Sequence, residues 1–354
     1  MSHQRLDPLT GEWVTVSPRR LHRPLSAAAS DCPFCPVPAD APEAARAASE
    51  APDADYDVAV FENRFPALGG APDDLGAVPP GFGAAPASGR AEVVLYSPRH
   101  DVHLPDLPES KVRLLIDVWR QRTLALEADP AVACVFVFEN RGRGIGQTIG
   151  HPHGQIYGYP WVPPRMRHEW HHFARYRAEE GDCLQCALLR GEERDGRRIV
   201  DRERDFVAFV PFAARFPSEV HLVPGRHLGG LADLEPRETV ALARLLRRAV
   251  ARYDGLYGEP MPYMMCVYQR PKADVGSAPP SATVGAAPPP APGGLWHMRI
   301  VFYPLLRGPA KMKYLAGSES GAGAFLLDAT PEDMAAALRA VPLDRAVYGG
   351  GDRG

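Results

Sequence analysis

The apolar and polar positions divide this chain into two stretches that read alike. Within 109–128 (ESKVRLLIDVWRQRTLALEA), apolar side chains recur at Val112, Leu115, Ile116, Trp119 and Leu124. This spacing predicts an amphipathic helix with that stripe against a core. Residues 234–253 (LEPRETVALARLLRRAVARY) repeat the pattern. Short apolar runs punctuated by Gly, Pro, Asn or Arg predict strands within 57–66, 92–100, 132–140 and 150–157, and again within 219–227, 263–268 and 296–303. A last helix starts with Thr330 as N-cap and Pro331 at its first position. The segment after Cys35, and 69–90, are rich in Ala, Pro and Gly and read as exposed loops. Residues 272–294 (KADVGSAPPSATVGAAPPPAPGG) read as a disordered insertion, and 349–354 as a frayed end.

The order of elements repeats, which points to internal duplication. Cys183-Leu184-Gln185-Cys186 matches Cys32-Pro33-Phe34-Cys35, and 219–227, ending in His227, matches 92–100, ending in His100. Trp296-His297-Met298-Arg299-Ile300-Val301 then lies over Gly150-His151-Pro152-His153-Gly154-Gln155. His151 lies 51 residues beyond His100; His297 lies 70 beyond His227, or 47 without the 23-residue insertion. The expected fold is α+β, with a first half over 1–175 and a degenerate second half over 176–354. Each half would be a mostly antiparallel sheet with a crossing helix.

Composition changes this picture little. The 354 residues are 45% hydrophobic and 23% charged, enough for a packed core, and the net charge of −3 gives no case for a nucleic-acid or membrane surface. No run approaches the roughly 18 apolar residues of a membrane span, and the N-terminus lacks the apolar core of a signal peptide. A cytoplasmic protein is expected. In a reducing compartment, two Cys-x-x-Cys pairs serve metal binding or redox work more often than disulfides.

The chemistry concentrates in Gly150-His151-Pro152-His153-Gly154-Gln155-Ile156-Tyr157. On a strand, alternation puts His151, His153 and Gln155 on one face. A neutral imidazole can attack phosphorus and hold the phosphoryl group covalently. A neighbouring imidazole can fix the geometry by holding a metal. Just before lies Glu139-Asn140-Arg141-Gly142-Arg143-Gly144-Ile145-Gly146-Gln147-Thr148, whose spaced glycines let backbone amides approach an anion. No Gly-Lys-Ser/Thr follows, so it is not a Walker loop. Arg19, Arg20 and Arg23, between Pro18 and Pro24, form a basic loop suited to phosphate or a solvated charge cluster. His168, His171 and His172 lie in an Arg/Glu-rich helix and read as a solvated face.

His-Pro-His-Gly-Gln resembles the active-site motif of the galactose-1-phosphate uridylyltransferase family, within the histidine-triad superfamily, and the resemblance covers most of the chain. It implies two fused histidine-triad-like halves. It also implies UMP transfer from UDP-glucose to galactose 1-phosphate through a uridylyl-His153 intermediate, with Gln155 steadying the phosphoryl oxygens. His100 falls on a zinc-ligand position, so Cys32, Cys35, His100 and His151 would form one structural Zn2+ site. By the internal repeat, Cys183, Cys186, His227 and His297 would form a second. Arg20, Arg23, Asn63, Asn140 and Thr148 fall on substrate-contacting positions. Lys313 would meet the sugar phosphate and Glu319 the sugar hydroxyls, although Ser318 replaces the usual Tyr. Some members carry a further metal, often iron, on one Glu and three His. Here Glu169 retains the Glu, but Tyr268, Arg299 and Val301 stand at the His positions, so that site is expected to be absent. Family members commonly form homodimers. The rival readings are a nucleotide phosphorylase or adenylyltransferase of the same superfamily and a zinc-braced nucleotide-binding protein.

Overall fold

The computed structural model describes residues 2–22, 32–38, 40, 43, 49–51, 56–69, 78–272 and 294–348. Arg23, residues 273–293 of the expected insertion and the end at 349–354 lie outside them.

The chain is α+β, as the pattern of positions implied. The strands are β1 (His3–Leu6), β2 (Trp13–Val16), β3 (Ala59–Glu62), β4 (Gly83–Pro86), β5 (Arg90–Leu95), β6 (Cys134–Arg141) and β7 (His153–Tyr159). In the second half they are β8 (Ile199–Glu203), β9 (Phe206–Phe209), β10 (Val220–Pro224), β11 (Tyr263–Tyr268), β12 (Arg299–Pro304), β13 (Leu306–Gly308) and β14 (Lys311–Met312). The main helices are α1 (Glu109–Glu127), α2 (Pro164–Glu180), α3 (Leu184–Asp195), α4 (Pro236–Tyr257) and α5 (Pro331–Ala340).

Nine strands form one antiparallel sheet in the order β3-β5-β7-β6-β11-β12-β10-β9-β8. Its symmetry is the duplication made visible. β6 and β11 pair at the centre, β7 and β12 flank them, and β5 and β10 come next. The division drawn at 175/176 falls inside α2.

The crossing helices α1 and α4 lie on one face of this sheet. Val112, Leu115, Ile116 and Trp119 of α1 and Leu242, Leu246 and Val250 of α4 join Val137, Ile156, Met265 and Phe302 in one apolar cluster under both halves. Continuity of that cluster makes the two halves one folding body. α2 lies on the opposite face, where Phe173 packs on Trp296 and Met166 on Cys134.

Three sequence expectations change in detail. Leu124 is 51% exposed, whereas Thr123 and Leu126 are buried. Leu124 is five residues on from Trp119, about 140° round the helix, and leaves the stripe. Within 92–100 the strand stops at Leu95, and the chain turns through Pro98 to His100. The third change is at His151, which simple alternation placed beside His153 and Gln155. Pro152 brings no N–H to a ladder, and β7 begins only at His153. His151 therefore precedes the strand and is wholly buried.

Trp119→Ala is expected to cost about 3–5 kcal/mol by denaturant unfolding, and Leu124→Ala less than about 0.5.

Candidate active site and metal-type clusters

Two Cys2His2 clusters occupy corresponding places in the two halves. In the first, the ligand atoms of Cys32, Cys35, His100 and His151 lie within 4.8 Å of one another. Cys35 Sγ is 3.5 Å from His100 Nδ1 and 3.6 Å from His151 Nδ1. A tetrahedral zinc with bonds of about 2.3 Å to sulfur and about 2.0 Å to nitrogen gives S···N edges of about 3.5 Å. His151 Nε2–H donates to the Ser97 carbonyl at 2.8 Å, which turns the lone pair of Nδ1 towards the thiols. Burial pushes that imidazole down to about 4, so it is a neutral donor at pH 7.

The second cluster copies this design. Cys186 Sγ lies 3.6 Å from His227 Nδ1 and 3.3 Å from His297 Nδ1, and Cys183 Sγ lies 3.9 Å from His297 Nδ1. His297 Nε2–H donates to the Pro224 carbonyl at 3.1 Å. Burial raises both thiols of this pair, but hydrogen bonds from His227 and His297 bring Cys183 down to about 5. Burial and the neighbouring Cys183 push Cys186 up to about 12. Cys35 is likewise pushed up to about 12 by burial and by Cys32. Two buried thiols side by side resist ionising together unless a cation joins them. Soft thiolates with imidazoles fit zinc.

The candidate nucleophile grows out of the first cluster. His153 Nδ1 lies 2.8 Å from the His151 carbonyl oxygen. A carbonyl only accepts, so Nδ1 carries the proton and Nε2 keeps the lone pair. The Phe34 ring, inside the Cys32–Cys35 knuckle, packs edge-on against His153 with centroids 5.1 Å apart. The metal-type knuckle therefore touches the candidate nucleophile directly, which the sequence reading missed.

Asn63, Thr148, His153 and Gln155 line one cavity, with Phe34 and Phe65 among its walls. Asn63 is held in a tight turn, its Oδ1 accepting from the Phe65 N–H at 2.9 Å. Tyr157 OH donates to Gln155 Oε1 at 3.3 Å, and Arg20 donates to Tyr157 OH at 3.4 Å. With Oε1 occupied, the NH2 group is the end of Gln155 that serves as donor. Tyr157 was also missed, although it stands two residues beyond Gln155 on the same strand. Asn140 stands two residues beyond Phe138, the partner of Gln155 across the ladder. Alternation along β6 places it on the half-open face with Phe136 and Phe138.

Lys313 and Glu319 come together elsewhere. Lys313 donates to Glu319 Oε1 at 2.9 Å and to the Leu326 carbonyl at 2.7 Å. Lys313 holds the Glu319 carboxyl down to about 2. Among the described residues, none of their bonds reaches the cavity of His153. Tyr314, Leu315 and Leu326 around them are exposed.

The description "Galactose-1-phosphate uridyl transferase, N-terminal domain" matches residues 1–163, and the corresponding C-terminal domain matches 169–284. The galactose-1-phosphate uridylyltransferase of Thermotoga maritima is 33% identical over 342 residues, covering 96% of this chain and 98% of its own.

The chain belongs to the galactose-1-phosphate uridylyltransferase family.

The Rattus norvegicus enzyme is 31% identical over 352 residues, covering 96% of this chain and 88% of its own. A solved uridylyltransferase superposes with a TM-score of 0.79 at 32% identity, covering 96% of this chain and 98% of its own. These relatives are transferases, and this chain shares their fold over nearly its whole length.

Within this uridylyltransferase fold, the second-half position that corresponds to His153 is filled by Arg299. It makes two bonds to Glu169 of α2, at 2.8 and 2.7 Å, and its guanidinium lies 4.5 Å from the Tyr268 ring centroid. Arg165, one helical turn before Glu169, lies 5.3 Å from the rings of both Tyr268 and Tyr303. Burial alone would raise the Glu169 carboxyl, but Arg299 and then Arg165 hold it below its ordinary value. Glu169, Tyr268 and Arg299 are thus committed to an ion pair capped by an aromatic ring, not to a donor set for a metal. His168 and His171 are exposed and His172 is half-exposed.

Glu169→Ala leaves the Arg299 charge buried alone. It should lower stability by about 3–5 kcal/mol, and the pair Glu169→Leu/Arg299→Met should recover most of the loss. Urea unfolding measures both.

Proposed function

We propose that this chain moves UMP from UDP-glucose to galactose 1-phosphate by double displacement on His153. The observation that carries this reading is the 2.8 Å bond from His153 Nδ1 to the His151 carbonyl. It leaves Nε2 as the nucleophilic nitrogen in the cavity shared with Asn63, Thr148 and Gln155. The Nε2 lone pair attacks the α-phosphorus of UDP-glucose. The bond from that phosphorus to the bridging oxygen breaks, its electron pair stays on oxygen, and glucose 1-phosphate leaves. A phosphate oxygen of galactose 1-phosphate then attacks the uridylyl-His153 phosphorus, UDP-galactose forms and the imidazole lone pair returns. The Gln155 amide donates to the non-bridging oxygens, where negative charge is spread in both transition states. Asn63, Asn140, Thr148, Arg20 and Arg23 contact the nucleotide. The first half, 1–175, carries this chemistry, and the second, 176–354, braces it.

Both Cys2His2 clusters hold structural Zn2+ in this reading, a full complement of four protein ligands each. Zinc ties the knuckle, the turn at His100 and the approach to β7 together. The chain works as a homodimer. Exposed Tyr314, Leu315 and Leu326 beside Lys313 and Glu319 favour a surface that a second copy covers. A cytoplasmic location fits six cysteines without a disulfide. Among the described residues, no helix is long and apolar enough to cross a membrane.

Intact-protein mass after mixing with UDP-glucose and no acceptor should rise by one UMP, and His153→Gly should abolish the gain while keeping fold and metal. An adduct with an adenine nucleotide instead would favour the phosphorylase reading. Tight nucleotide binding without any adduct would favour a binding protein.

Metal analysis by plasma mass spectrometry should find two zinc ions per chain. Cys186→Ser should leave one, with uridylylation retained, whereas loss of the first ion in Cys35→Ser should abolish uridylylation. One zinc in the unaltered chain would reject the second site.

A further inference from the structure

Gly154 stands between His153 and Gln155, and its Cα faces the sheet's core side. A Cβ added there would collide with the hydroxyl oxygen of Tyr96 and lie 3.2 Å from the Phe138 carbonyl oxygen. The phenol of Tyr96 thus occupies the space that a side chain at 154 would take. Tyr96 also holds the chain on the other side of His153, its backbone N–H donating to the Pro152 carbonyl at 3.3 Å. One residue therefore touches the polypeptide immediately before and immediately after the nucleophile.

The phenol is itself pinned. Tyr96 OH donates to Glu139 Oε2 at 3.2 Å, and Tyr263 OH donates to Glu139 Oε1 at 3.3 Å. Glu139 follows Phe138, the residue paired with Gln155. All three side chains are buried, and Trp119 packs edge-on against Tyr96 with centroids 6.4 Å apart. Burial raises the Glu139 carboxyl to about 7. An apolar trio of the same shape would avoid the cost of a buried carboxyl between two phenols. What the polar trio adds is a fixed hydroxyl position, because a hydrogen-bonded network has one satisfied arrangement.

We propose that Tyr96, its hydroxyl held by Glu139 and Tyr263, is a positioning residue that sets how far β7 stands out from the core, and so where His153 Nε2 and the Gln155 amide meet the phosphoryl group. It acts through the strand and touches no substrate. The inference rests on the reading of His153 as the nucleophile.

The geometry makes a signed prediction. Removing the hydroxyl lets the strand settle inward, whereas a methyl at 154 pushes it outward against that same oxygen. The two changes oppose each other when combined. A shift of about 1 Å at reacting atoms costs on the order of 100-fold in rate.

The experiment measures the single-turnover rate of uridylyl-enzyme formation from UDP-glucose in the full-length, zinc-loaded protein. KM, metal content and thermal midpoint are recorded beside it. Tyr96→Phe is expected to slow formation about tenfold and Gly154→Ala about 100-fold, with KM changed less than about twofold. Gly154→Ala/Tyr96→Phe should be about tenfold faster than Gly154→Ala alone. Glu139→Gln, which keeps an oxygen acceptor and the shape, should stay within about threefold of the unaltered chain, whereas Glu139→Ala should match Tyr96→Phe. Unaltered rates in Tyr96→Phe, or losses that multiply in the double variant, would overturn the proposal. If Gly154→Ala fails to fold, the contrast of Glu139→Gln with Glu139→Ala decides the matter. If the unaltered protein forms no adduct at all, the nucleophile assignment fails first, and the outcome is distinct from loss of positioning.

Discussion

The structure depends on a tether of two residues. His151 is wholly buried, its Nδ1 turned to the Cys35 thiol and its Nε2 bonded to the Ser97 carbonyl. Its carbonyl takes the proton-bearing nitrogen of His153. One residue therefore lines a metal-type cluster and selects the tautomer of the candidate nucleophile. Pro152 between them limits the backbone freedom that would loosen this coupling. Phe34 carries the same constraint through space, from the cysteine knuckle to the His153 ring. A metal bound at such a place need not approach the substrate to matter, because it decides where the imidazole stands.

The second half shows what the scaffold does when the chemistry is removed. Its Cys2His2 cluster keeps the same order of residues, and His297 has the same bond to a backbone carbonyl as His151. The residue two positions on is Arg299 instead of a histidine, and α2 brings Glu169 down upon it. On the first half the corresponding face stays open and is lined by His153, Gln155 and Asn63. One copy of the sheet thus presents the candidate nucleophile His153, and the other closes over an ion pair stacked on tyrosines. The duplicated sheet supplies two equivalent faces, and the side chains at equivalent positions decide which of them is a site.

Much of the site was legible because its parts are close in sequence or repeated. The Cys-x-x-Cys knuckles, the His-x-His pair and the later His of each half recur with similar spacing, and the structure gathers each set within 4.8 Å. Thr148, Asn63 and Gln155 meet at one cavity. Lys313 and Glu319 read as two separate substrate contacts, but in the folded chain they bond each other. Leu124 was misplaced by one helical position, since a leucine satisfies the eye where Thr123 satisfies the geometry. The Tyr96–Glu139–Tyr263 trio drew no notice because its members are 43 and 124 residues apart and sit in runs that read as ordinary strand.

The sequence by itself determined the two-fold repetition, the metal-type residues, the nucleophile candidate and the α+β class. These follow from local spacing, and local spacing is written in the chain. Only the tertiary structure decided which nitrogen of His153 keeps its lone pair, since that depends on a carbonyl brought to 2.8 Å by a turn. Only it paired Arg299 with Glu169 across 130 residues. Only it set the Tyr96 phenol beneath Gly154. Such contacts join elements across the sheet, where packing and register fix distances that no stretch of sequence contains.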